Sequence, residues 1–345
     1  MKEAKKTRGT LKAVAKGILL LGKYIFLFLI GMWATLAIYY SNLPWAWGRT
    51  SLAVAFALGT IVALLVLPKR SRTILCFLSA VLLVGIWWSL IPASNDRDWA
   101  PEVAVLPRAT FDGNRVTVRN IRNFDYKTEN DFTVRYYDKV FDLTKVKSVD
   151  FIVSHWDGLQ AIAHTMLSFG FHGGDQLVLS VEIRREKGEQ YETLKGFFKQ
   201  YEIIYILGDE RDIIRVRTNY RGEEVYLYPS VHPPEKVRAL LLDVLRWINK
   251  LAERPNWYHT LGRNCTTSLV DRINEVSDNK IAFQEKVLLN GYSDELAYER
   301  GGISNDMPFE ETKKAHFISD IAKKYNDDPL FSQKIRTHLR RKEGS

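Results

Sequence analysis

Three apolar runs in the first hundred residues constrain this chain more than any other feature. Residues 17–40 are almost wholly apolar, with Lys23 near one end, and 51–67 and 73–92 follow without a charged residue. A bilayer core calls for about 20 such residues in helical form, because each backbone N–H and C=O must find its partner inside the segment. The middle run is short by that measure, but Trp45 and Trp47 beside it suit the interfacial belt, and Lys23 can snorkel. Three transmembrane helices within residues 1–93 are expected.

Basic residues set their direction. Lys2, Lys5, Lys6, Arg8, Lys12 and Lys16 precede the first run, and Lys69, Arg70 and Arg72 separate the second from the third, whereas the first link holds only Arg49. The positive-inside rule then puts the N-terminus in the cytoplasm and everything after Pro92 outside. A cleaved signal peptide does not fit, because no small-residue cleavage site follows the first run and two more spans do. The net charge of +9 owes much to these flanks, so it reports topology and anionic membrane lipid and does not suggest nucleic acid.

The remaining residues, from about 99 to 345, are enough for one sizeable domain. Cys76 lies inside the third run and cannot reach Cys265, so the domain has no disulfide framework and needs an ordinary core. Alternation predicts strands over 115–120 and 132–138 around a turn at 111–114, and 149–153 reads as a buried strand. A hairpin follows, 162–171 and 176–184 around His172-Gly173-Gly174-Asp175. Residues 192–202 have helix-like composition, and 203–207 and 213–217 flank a polar turn at 208–212. Pro233 and Pro234 open a helix whose stripe is Val237, Leu240, Leu241, Val244, Leu245 and Ile248; the charged remainder after the next helix also reads as helical.

That next helix starts at Cys265. Asn264 is a good N-cap and Leu269 and Ile273 repeat at i and i+4, so the thiol sits in a first turn, where partial positive charge favours thiolate. A small buried apolar residue is the competing reading. Backbone N–H groups there, around Asn264 and Thr266, are candidate oxyanion donors. On the hairpin, Leu167, Phe169, Phe171, Leu177, Leu179, Val181 and Ile183 share the parity of a core face, leaving His164, Ser168, Ser180, Glu182 and Arg184 on a polar one. If the turn closes around Gly173, His164 faces Glu182, which supplies a base for the thiol and a carboxylate to orient it. A slip of one residue would separate them. His155, His172, His232 and His259 are the other candidate bases. With neither a Cys-x-x-Cys pair nor a His-Glu-x-x-His helix, no metal or cofactor is expected.

Four ordered motifs make the chain recognisable: Ile-Ala-His-Thr-Met-Leu-Ser-Phe-Gly-Phe at 162–171, Leu-Ser-Val-Glu-Ile-Arg-Arg-Glu at 179–186, Phe-Lys-Gln-Tyr-Glu-Ile-Ile-Tyr-Ile-Leu-Gly-Asp-Glu-Arg-Asp at 198–212, and Trp-Tyr-His-Thr-Leu-Gly-Arg-Asn-Cys-Thr-Thr at 257–267. They closely resemble the family named after the N-terminal periplasmic domain of Lnb, from about Trp99 into the charged tail. The resemblance implies an α+β domain of permuted papain-like (NlpC-type) fold, in which the histidine strand precedes the cysteine helix, and thiol acyl-transfer chemistry of the lipoprotein N-acyltransferase kind. It carries the nucleophile onto Cys265 and the base onto His164, with Glu182 in the strand motif. Residue 259 is histidine where the motif usually has asparagine, which sets His259 aside as a required base.

Arg184, Arg185, Tyr201, Arg211 and Trp257 are the candidate substrate-binding residues. The chain is then a multi-pass protein of the inner membrane with a periplasmic domain, and membrane lipid, lipoproteins or peptidoglycan peptides are its expected partners. Three functions fit. A membrane-anchored acyltransferase would show a hydrophobic groove near Cys265; a cell-envelope amide hydrolase would show an open polar cleft; a non-catalytic scaffold would bury the cysteine away from any histidine.

Overall fold

The computed structural model describes residues 2–66, 71–156 and 158–339. It separates into two units, residues 1–92 with 194–200, and residues 93–193 with 201–345. Leu67, Lys69 and Arg70, which figure in the reading of the second span and its flank, lie outside the described residues.

The first unit is helical. Helices α1 (Lys2–Tyr39), α2 (Ala46–Val66) and α3 (Ser71–Ser89) each contain a stretch long and apolar enough to cross a membrane, at Thr10–Tyr39, Ala46–Leu65 and Arg72–Ser89. Their outward faces stay apolar and exposed, as a lipid solvent requires, while Leu27, Ala63 and Phe77 form a small internal contact. Gly31 lets α1 approach α2 closely, since a Cβ there would lie 2.5 Å from the Thr60 methyl. Residues 194–200 belong to this unit. Lys199 Nζ donates to the carbonyls of Trp88, Ser89 and Ile91 at 2.9–3.1 Å, satisfying orphan acceptors at the end of α3, and Phe198 stacks on Tyr40. The expected helix over 192–202 is therefore reduced to one 3-10 turn, Lys195–Phe197. Lys199 adopts a left-handed φ of 54° that breaks the run, and the Tyr201 hydroxyl ties the Glu192 N–H to the Gln190 carbonyl.

The second unit is built on an eight-stranded sheet. Strands β1 (Arg108–Asp112), β2 (Arg115–Arg122), β5 (Tyr136–Asp142), β6 (Val146–His155), β7 (Ala163–Phe171), β8 (Gln176–Arg184), β9 (Glu202–Gly208) and β10 (Glu224–Pro229) run in the order β1-β2-β9-β8-β7-β6-β10, with β5 also paired to β2. The short β3 (Asp125–Tyr126) and β4 (Phe132–Thr133) pair separately, so the expected strand over 132–138 is interrupted. All pairings in the large sheet are antiparallel except that of β2 with β9. Opposite Leu167 stands Leu179, and opposite Phe169 Leu177, so the hairpin closes in the register its alternation predicts.

The odd-numbered face carries the larger core. Leu167, Phe169, Leu179 and Tyr205 pack beneath α5 (Pro234–Glu253), whose entire predicted stripe is buried, and beneath Leu269 of α6 (Cys265–Val276). The other face departs from expectation. Besides the polar side chains expected there, it carries a second core, in which Met166, Val178, Ile204 and Ile206 meet Ile213 and Ile214 of α4 (Glu210–Arg215) and Ile318, Phe331 and Ile335 from the charged tail. Residues 213–217 accordingly form no strand. Asp209 caps α4 by accepting the Arg211 N–H, and the helix continues into a π-helical turn, Val216–Arg221. The tail contributes α7 (Glu285–Leu288), α8 (Ser293–Glu299), α9 (Phe309–Ala315), α10 (Ser319–Lys324) and α11 (Phe331–Lys334), short helices separated by loops.

Candidate active site

The thiol begins α6. Asn264 Oδ1 accepts the Thr267 N–H at 2.9 Å and Thr267 Oγ1 accepts the Asn264 N–H at 2.9 Å, a reciprocal capping box. It takes up part of the helix end. The N–H groups of Cys265 and Thr266 have no acceptor within the helix, and the positive end of its dipole lies at the sulfur.

β7 delivers the imidazole. Extending the β7–β8 ladder past Met166 and Ser180 sets His164 across from Glu182. His164 Nε2 lies 2.8 Å from Ser180 Oγ and 3.2 Å from Glu182 Oε1, and Ser180 Oγ itself donates to Glu182 Oε1 at 2.6 Å. With its hydroxyl hydrogen spent on the carboxylate, Ser180 accepts from His164, so Nε2 carries the proton and Nδ1 is the nitrogen available to the thiol. A side-chain hydrogen bond joins His164 to Cys265, the Thr165 N–H also points at Sγ, and Asn290 Nδ2 donates to Sγ at 3.5 Å.

Behind Glu182 stands a further pair. Arg217 Nη2 donates to the same carboxylate oxygen at 2.8 Å and Nη1 to Glu223 at 3.3 Å, while Ser154 Oγ donates to Glu223 at 2.5 Å. Burial alone would push the Glu182 carboxyl up, but His164 and Arg217 hold it well below the usual range, so it remains a carboxylate. Burial would likewise strip the proton from His164. Glu182 and the thiol outweigh it, and the imidazole is raised to about 9. Burial disfavours the Cys265 thiolate too, yet the neighbouring imidazolium brings the thiol down from 9.0 to about 6. The pair therefore rests as thiolate and imidazolium.

One cavity opens on this constellation and a second comes up beside it. An open, mixed-polarity cleft is lined by Cys265, His164, Glu182, Arg217, Tyr258 and Asn290. A second cavity of about 210 Å³ is mainly apolar, with Leu240, Leu269, Ile273 and Ile303 among its walls, and it extends to Thr165 and Thr266, whose hydroxyls bond at 3.0 Å beside the thiol. Among the described residues, no group of three or more His, Cys, Asp or Glu is arranged to hold a metal ion.

The family model for the Lnb N-terminal periplasmic domain matches residues 132–293, slightly under half of the chain. Over those residues the chain is similar to the Lnb N-terminal periplasmic domain. No curated protein and no solved structure matches it. The matched Lnb segment holds His164, Glu182, Arg217, Cys265 and Asn290, whereas β1, β2 and α9–α11 lie outside it. Together with that match, three helices long and apolar enough to cross a membrane make this a membrane-anchored protein with a periplasmic part.

Five residues expected at the substrate are placed elsewhere. Arg184 is buried against Trp99 and donates to the Val103 and Ala104 carbonyls, so its charge is spent on the fold. Arg185 pairs with Glu102, and Tyr201 is fully buried with its hydroxyl tying a loop. Trp257 is buried with Arg97 over its ring, and Arg211 sits in the first turn of α4. None of the five lines the cleft. Asn264 does, while the Thr266 side chain is turned to Thr165. His259 folds back on its own loop, accepting the Gly262 N–H.

Sequence reasoning also passed over groups that matter here. Ser180 was visible on the polar face of the hairpin but had no assigned part. Arg217 was hidden by reading 213–217 as extended, and Asn290 by a charged stretch without pattern.

The ion pair has a measurable consequence. In a chain whose only thiol is Cys265 (Cys76→Ser), alkylation by iodoacetamide is expected to rise through pH about 6, and reaction steps that need imidazolium to fail through about 9. A rise only above pH 8 would contradict the pairing.

Proposed function

We propose that this protein is a membrane-anchored periplasmic thiol acyltransferase, with Cys265 as nucleophile, His164 as its base and Glu182 as the group that orients the imidazole. The observation that carries this reading is the Cys265–His164 pair, buried beside the cleft with the thiol lowered to about 6. A scaffold protein has no use for a thiolate maintained against burial, and the criterion for that reading, a cysteine without a histidine in reach, is not met.

The chemistry follows from the charges. The thiolate attacks an ester or amide carbonyl, and the leaving group takes its proton from the imidazolium. A thioester on Cys265 remains. His164, now neutral, accepts the proton of an incoming amine, which displaces the thiolate. The apolar cavity reaching Thr165 and Thr266 favours an acyl group with a hydrocarbon chain, being larger than the roughly 150 Å³ that accommodate a benzene ring. Tethering in the bilayer raises the effective concentration of lipid donors and of lipoprotein termini. The basic flank of the first span, through the positive-inside rule, supports a cytoplasmic N-terminus.

One observation favours a second reading. The cleft itself is open and mixed in polarity, with Arg217 and Arg221 on its walls, and it would admit a peptide and water as readily as a lipid, which is what an envelope amide hydrolase needs. Mass spectrometry of lipoprotein N-termini from cells carrying the intact chain or Cys265→Ala separates the two. Loss of the N-acyl group in the variant is expected. Unchanged lipoproteins with altered muropeptides would favour hydrolysis.

A further inference from the structure

Thiol, imidazole and carboxylate account for attack and proton transfer, but not for the negative charge that gathers on the carbonyl oxygen. We propose that Asn290 supplies the side-chain donor of an oxyanion hole for acylation of Cys265. The role rests on the thiol acyl-transfer reading above.

The orientation of the amide follows from its partners. The Ala163 N–H can only donate, so the atom 2.9 Å from it is Oδ1, and Nδ2 is turned to Cys265 Sγ at 3.5 Å. Asn290 is buried, at 8 % exposure, yet it lines the cleft. Its loop is pinned at several points. The Gly291 N–H donates to the Ala161 carbonyl at 3.1 Å, and Ser293 Oγ donates to the Asn290 carbonyl at 2.7 Å. Any side chain at 291 would collide with the backbone, because a Cβ there would lie 1.8 Å from the Gln160 carbonyl oxygen. Glycine thus lets this loop close onto the start of β7, the strand that bears His164. The amide and the imidazole are held to one framework.

Nδ2 has two hydrogens, and one of them faces sulfur in the resting site. When the thiolate adds to a carbonyl, the S–C bond forms and the C=O π pair moves to oxygen. That oxygen then sits one bond from the carbon attached to Sγ, within reach of the amide donor and of the Cys265 N–H at the start of α6. Collapse restores C=O, breaks the bond to the leaving oxygen and passes the His164 proton to it. Both donors are in place before the charge appears.

A substitution at Asn290 can be read by two reagents that share the thiolate but not the oxyanion. Iodoacetamide alkylates sulfur by displacement at a saturated carbon, whereas p-nitrophenyl butyrate must pass through a tetrahedral oxyanion. In the full chain with Cys76→Ser, Asn290→Ala is expected to lower the pH-independent acylation rate by about 10²–10³ while the alkylation plateau stays near that of the unsubstituted chain. Asn290→Asp keeps the acceptor for the Ala163 N–H and so preserves the loop; its acylation should fall further than its alkylation. Equal losses in both reactions, or no loss in acylation, overturn the role of Asn290. An Asn290-containing chain that alkylates but forms no thioester overturns the parent reading as well, so the two failures are told apart by whether the chain that keeps Asn290 forms the thioester.

Discussion

His164→Ala is expected to slow thioester formation at pH 7 by about 10³, within the range usual for loss of a general base. Two effects act together. The imidazole no longer takes part in proton transfer, and without the imidazolium the buried thiol loses the interaction that brought it from 9.0 to about 6, so burial pushes it upward. The rate of iodoacetamide alkylation at pH 7 should fall with it and recover only in strongly alkaline solution. Glu182→Gln makes a milder and more specific change. Removing the charge that raises His164 to about 9 should move the alkaline limb of the acylation profile to lower pH, with the acid limb much less affected. A profile whose alkaline limb does not move would show that Glu182 orients the ring without setting its charge.

The second large effect concerns stability. Arg336, in the tail, donates from Nε and Nη2 to Asp150 at 2.8 and 2.6 Å and from Nη1 to Glu210 at 2.8 Å, all three side chains being buried beneath the second face of the sheet. Ser168 donates to the same Glu210 at 2.6 Å. Arg336→Met removes the cation that contacts both carboxylates and leaves two acids in an apolar layer. A loss of about 3–5 kcal/mol is expected, the usual result of breaking a buried pair from one side. Thermal denaturation of the detergent-solubilised chain should show a midpoint lower by about 10 °C. In the variant the two carboxyls titrate above their unfolded values, so the unfolded chain holds fewer protons than the folded one and the deficit should shrink as pH falls. Adding Asp150→Asn and Glu210→Gln should restore most of the loss. Persistence of the deficit in that triple variant would place the cause in packing rather than charge.

Much of the site was legible because a hairpin is a local object. His164, Glu182 and the turn at 172–175 lie within one short segment whose alternation specifies its own register, and the observed pairing of Leu167 with Leu179 follows from it. The cysteine helix was equally readable, since capping is written in the residues beside the cap. The misreadings have a different character. Residues 213–217 have the β-branched composition of a strand, but Asp209 as a cap and the burial of Ile213 and Ile214 beneath the sheet make them helical. In the sequence Arg184 reads as a cation free to meet a substrate carboxylate, whereas its partners, at Asn95, Val103 and Ala104, come from far upstream.

Taken alone, then, the order of residues determined the three apolar helices, the hairpin with its facing histidine and glutamate, and a thiol in the first turn of a helix. Each is a matter of periodicity or of groups a few positions apart, where backbone geometry leaves little choice. Only the folded chain decided that the thiol meets the imidazole, that Arg217 and Asn290 join them, and that the polar face of the hairpin lies under a tail of charged helices. Those contacts span from tens of residues to more than a hundred, and they depend on which apolar faces cover one another and which buried charges find partners. No local pattern encodes that choice, because it is made by the whole core at once.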